Sequence, residues 1–87
     1  MDDHARRVCA PLRQGWADFE SGRATLLDLS RLAEQASNAL DNANAPLPRL
    51  LATAASDLEY ASYTNERDDH LSVGQRILGP VLSEMEH

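Results

Sequence analysis

The apolar residues of this chain recur three and four positions apart, and nowhere do they alternate as a half-buried strand requires. The clearest run is Leu26, Leu29, Leu32 or Ala33, Ala36 and Leu40, a stripe down one face of a helix. Thr25 stands just before it, with Asp28 three residues on. That is the spacing of a capping box, built with an acid one methylene shorter than the usual glutamate. With 87 residues, four of them aromatic, the chain has one domain whose core must be made of Leu and Ala.

Three further segments carry helical patterns. Pro11 suits the first position of a helix, where its missing N–H has no intrahelical partner to lose. Leu12, Trp16 and Phe19 then share one face and are read as core, and Gly22 in "SGRAT" is expected to end the helix in a left-handed cap. "DNANAPLP" reads as a loop. A third helix is expected from about Pro48 to Tyr63, burying Leu47, Leu51, Ala54, Leu58 and Ala61. After "TNERDD", Ser72 and Gln75 sit at capping-box spacing before a last apolar face of Ile77, Leu78, Val81, Leu82 and Met85. Gly79-Pro80 interrupts that face, because proline removes a helical hydrogen bond and crowds the preceding turn. The pattern predicts an all-α chain spanning 1–87, an antiparallel four-helix bundle with its last helix kinked or split near Pro80.

Charge narrows the function. Fourteen acids face eight arginines and no lysine, a net charge of −6. Affinity for bare nucleic acid rests on cationic contacts to phosphates, so this balance argues against it. It favours a basic protein partner, which an opposite field steers into register. No apolar run approaches the roughly 20 residues of a membrane span. "MDDHARR" lacks the apolar segment of a secretory signal, so a cytoplasmic location is the expectation. Cys9 is the single cysteine, and nothing in the sequence sets it against His4 or His70 as a nucleophile. Asp68, Asp69 and His70 are adjacent and splay apart, which is unsuited to a metal site. No glycine-rich phosphate loop is present. The expectation is a protein without enzymatic activity, cofactor or metal.

One segment concentrates polar and aromatic chemistry: "DLEYASYTNERDDH", Asp57 to His70, with five acids and two tyrosines. At 100° per residue, Tyr60 and Tyr63 point away from a stripe centred on Leu58, while Asp57 and Glu59 flank it on opposite sides. Arg49, Thr53 and Ser56 share the tyrosines' solvent side, and Glu66, Asp68 and Asp69 follow in the loop. Exposed tyrosines beside carboxylates suit the capture of a cationic surface. The alternatives are that a neighbouring helix covers the rings, or that the charged loop is merely solvated. Asp57, Glu59, Tyr60, Tyr63, Glu66, Asp68 and Asp69 are the candidate partner-binding residues.

A small acidic helical chain invites comparison with acyl carrier proteins, but "DLS" (Asp28-Leu29-Ser30) reverses the order of their Asp-Ser-Leu attachment motif. From Trp16 to Met85, the pattern of "WADFESGRATLLDLSRL" and of "LLATAASDLEYASYTNERDDHLSVGQRIL" resembles the small helical immunity proteins of the colicin D type. That resemblance implies a four-helix bundle that binds a cognate nuclease toxin, its acids occupying the basic groove meant for nucleic acid. The same acids, Asp57, Glu59, Glu66, Asp68 and Asp69, would serve here. The alternative function is a self-associating helical module, a homodimer whose second copy completes a modest Ala-Leu core.

Overall fold

The computed structural model describes residues 3–40 and 46–86. Four α-helices account for most of them: α1 (Asp3–Glu20), α2 (Leu26–Ala39), α3 (Leu47–Thr64) and α4 (His70–Met85). A short 3-10 turn, Arg67–Asp69, leads into α4. No strand occurs among the described residues. Most of the loop expected at "DNANAPLP" lies outside them, and α3 begins just after Pro46 with Pro48 in its first turn.

The first helix begins earlier than its sequence suggests. Pro11 is inside α1 and does not open it, because the buried stripe continues upstream through Ala5 and Cys9 to Leu12. Those two small side chains carry little weight in a hydrophobicity pattern, yet both are fully buried. Pro11 itself is exposed, so the helix carbonyl deprived of its N–H partner can bind water. Pro80 follows the same rule. It is exposed within α4, which continues as one helix across it, so the chain does not split there.

The other boundaries have visible chemical causes. Gly22 adopts φ +83, with its N–H donating to the Phe19 carbonyl at 3.1 Å and the Arg23 N–H to the Asp18 carbonyl at 2.7 Å. That pair of bonds is a Schellman motif, and only glycine takes its left-handed position without strain. Thr25 and Asp28 form the expected capping box, with bonds of 2.9 and 3.1 Å. Ser72, by contrast, does not cap α4. Asp69 is already in the right-handed helical region, so the 3-10 turn runs directly into α4 and the Ser72 hydroxyl donates to the Asp69 carbonyl from inside the helix. An N-cap needs an extended backbone, which that turn does not provide.

The four helices share one apolar core, led by Leu12, Leu26, Leu29, Leu51, Leu58 and Leu78. Helices α2 and α3 form the most extensive pair, α1 lies on α2, α4 lies on α3, and α1 meets α4 over a shorter stretch. Two serine hydroxyls join the central pair, Ser30 to the Ala55 carbonyl and Ser37 to the Pro48 carbonyl, each at 2.7 Å. Two glycines let helices approach closely. Gly15 admits the Leu32 side chain, and a β-carbon at Gly74 would stand 2.6 and 2.9 Å from ring atoms of Phe19. Phe19 is buried and packs on the half-buried Trp16, ring centroids 5.5 Å apart.

Candidate functional site

Helix α3 positions the tyrosines. Leu51, Ala54, Leu58 and Ala61 face the core, which turns Tyr60 and Tyr63 outward with relative exposures of 70% and 71%. No neighbouring helix covers either ring. Exposed aromatic rings offer a large contact area with a polar tip to a partner. Arg49, Thr53 and Ser56 are exposed as expected.

The helix ends just past the second ring. The Asn65 N–H and its side-chain amide both reach the Ala61 carbonyl, at 3.1 and 3.2 Å. Asn65 and Glu66 then run extended before Arg67–Asp69 tighten into the 3-10 turn. His70 fastens this corner, its Nε2 lying 3.0 Å from the Asn65 carbonyl. A carbonyl only accepts, so Nε2 carries the proton in that contact. Glu66, Asp68 and Asp69 are all exposed on the secured turn.

The structure divides the candidate residues. Asp57 and Tyr60 line a groove of about 400 Å³ between α3 and α4, together with Thr64, Arg76 and Ile77. Glu59 lies on the other flank of α3, lining a separate cleft against α2 with Glu34 and Ser37. Tyr63 stands exposed outside the groove lining, one residue before α3 ends. Sequence reasoning misses Arg76 and Ile77, because only their packing beside α3 brings them to Tyr60. Arg76 makes no ion pair among the described residues, so the groove presents one cation and one carboxylate on opposite helices.

The other chemistry-bearing groups are placed differently. Cys9 is fully buried; burial pushes its thiol above the usual range, and the Arg13 guanidinium offsets this in part. Since the thiolate is the reactive form, Cys9 should react with an aromatic disulfide reagent at least ~100-fold more slowly in the native protein than in urea. Above about pH 8.5 the unfolded chain ionises this thiol while the folded chain does not, so stability should fall as pH rises through that range. Urea midpoints at pH 7.5 and 9.5, for the native chain and for Cys9→Ala, check the sign: the decline should shrink in the variant. Among the described residues, no three His, Cys, Asp or Glu side chains gather closely enough to hold a metal ion. No described helix is long and apolar enough to cross a membrane.

No family model, curated protein or solved structure matches this chain. Its own surface chemistry is therefore the guide to what it binds.

Proposed function

We propose that this chain is a cytoplasmic immunity-type protein that binds a basic toxin domain, a nuclease by the chemistry of the decoy, and blocks it by occlusion. The observation that carries this reading is the pair of rings at 70% and 71% exposure beside the exposed Asp57, Glu59, Glu66, Asp68 and Asp69. Tyr60 and Tyr63 are the packing anchors, and the carboxylates match the partner's arginines and lysines. Asp57 lies in the groove with Tyr60, Asp68 and Asp69 form the forward edge, and Glu59 serves a rim on the α2 side.

The scaffold in this reading is an antiparallel bundle. Its support is the pair of serine bonds: seven residues forward along α2, from Ser30 to Ser37, is seven residues back along α3, from Ala55 to Pro48. Contacts between α1 and α4 run in the same reversed sense, from Phe19 against Gly74 to Arg13 against the Met85 carbonyl. In this reading α4 bends at Pro80, which is supported by proline's lack of an N–H for the Arg76 carbonyl within the helix.

Self-association is the competing reading. A two-fold interface through the tyrosines would set the same five acids against their copies, and like charges brought together cost affinity. A second copy therefore fits this face poorly.

The test is capture from a lysate of the source organism with three baits, the native chain, Tyr60→Ala/Tyr63→Ala and Asp68→Arg/Asp69→Arg. The native bait should retain a basic protein at low salt, release it at high salt, and inhibit its nuclease activity once purified. Both variants should fail to retain it. Retention of the same protein by all three baits would exclude this surface as the binding site.

A further inference from the structure

The turn between α1 and α2 faces the start of α4 across a cavity of about 340 Å³. Three side chains able to carry positive charge converge on it from separate parts of the chain. Arg23 follows the Schellman turn, Arg67 comes from the 3-10 turn and His70 opens α4. In a chain where acids outnumber arginines fourteen to eight, the lining of this cavity holds two arginines. Glu20 is the one acid among the lining residues.

None of the three groups is fully engaged. The Arg67 guanidinium has no hydrogen bond or ion pair among the described residues. Arg23 makes only a long surface contact, 3.7 Å to Asp18 with its own side chain 74% exposed, plus one bond from Nε to the Ser21 hydroxyl. A pair so exposed contributes little and yields readily to a better-placed anion. His70 commits Nε2 to the Asn65 carbonyl, which holds the ring in place and leaves Nδ1 unpartnered.

Apolar side chains line the cavity as well. Phe19 reaches it from α1 and Leu71 from α4, the latter 45% exposed with no function in the core. Arginines and apolar side chains lining one cavity suit a charged group carried on an apolar stem. The volume is at the small end of the range for organic ligands, roughly 300 to 1,000 Å³.

We propose that this cavity is a binding site for a small organic oxyanion, a phosphate or carboxylate on an aromatic or branched aliphatic stem. Arg67 and Arg23 grip the oxygens, His70 closes the third side, and Leu71 with Phe19 holds the stem. The site borders the tyrosine surface at the Arg67–Asp69 turn but needs no toxin partner to bind its ligand.

The experiment is a nuclear magnetic resonance titration of the full chain with phenyl phosphate, 3-phenylpropanoate, inorganic phosphate and benzyl alcohol. Phenyl phosphate or 3-phenylpropanoate should saturate with a Kd on the order of 1 mM, moving the side-chain signals of Arg23, Arg67, His70 and Leu71 together. Comparing those two compounds tells phosphate from carboxylate. Inorganic phosphate, which lacks the stem, should bind about tenfold more weakly, and benzyl alcohol, which lacks the charge, should not saturate. Arg67→Gln should weaken binding at least ~5-fold, while Arg6→Gln, an exposed arginine on α1, leaves it unchanged. Shifts spread over all eight arginines, or equal binding by Arg67→Gln and the native chain, would overturn the proposal. So would saturation by benzyl alcohol at the same concentration.

Discussion

Gly74→Val should lower the free energy of unfolding by about 3 kcal/mol, toward the upper end of what overpacking costs. Glycine in a helix interior ordinarily weakens it, and filling the position ordinarily helps by about 1 kcal/mol. Here the sign reverses, because a β-carbon would meet Phe19 at 2.6 and 2.9 Å, against a flat ring and not the tip of a flexible chain. Phe19 cannot swing aside easily. It is buried, and Trp16 stacks against it at 5.5 Å. Small domains have only about 0.05 to 0.15 kcal/mol of stability per residue, so a loss of this size moves the urea midpoint far. A double-mutant cycle gives the mechanism: Phe19→Leu, costly alone, should recover part of the loss in Gly74→Ala. Strict additivity would place the cause elsewhere than the α1–α4 contact.

Tyr60→Ala/Tyr63→Ala should do the opposite, sparing the fold and removing the function. With relative exposures of 70% and 71%, the rings contribute little to the core, and the urea midpoint should stay within experimental error. At a binding hot spot each truncation costs about 2 kcal/mol or more, so the pair should weaken partner binding by about 10²- to 10³-fold. Leu58→Ala, two residues from Tyr60 on the buried face, makes the matching control. It should cost about 2 to 5 kcal/mol of stability through the cavity it leaves. The contrast between residues 58 and 60 separates what α3 does for the bundle from what it offers a partner.

How much of the fold and of the site is legible in the sequence depends on the size of the side chains involved. The stripes of α2 and α3 rest on leucines, and each leucine assigned to the core in those helices is buried except Leu32, whose partly exposed chain lies against Gly15. The start of α1 is hidden, because Ala5 and Cys9 are core residues that a hydrophobic pattern scarcely registers. Ser72 misleads for a different reason: capping-box spacing is a local signal, and the 3-10 turn before it has already set the backbone. Exposure of the tyrosines follows from helical geometry alone. The groove does not, since Arg76 and Ile77 reach Tyr60 only through the packing of α4 on α3. The cavity at Arg23, Arg67 and His70 is likewise tertiary, drawing together positions 44 and 47 residues apart (67 − 23 and 70 − 23).

If an acidic, tyrosine-bearing face meets a basic protein, its charge must show in the rate of encounter. Association of the native chain with its captured partner would be followed by stopped flow at ionic strengths from about 0.02 to 0.5 M, a range over which the Debye length shrinks about fivefold. The rate should fall by about tenfold or more over that range. In Asp68→Arg/Asp69→Arg the low-salt rate should drop by a similar factor and its salt dependence flatten, with melting unchanged. Identical rates for the two proteins, insensitive to salt, would contradict a charge-guided role for this face.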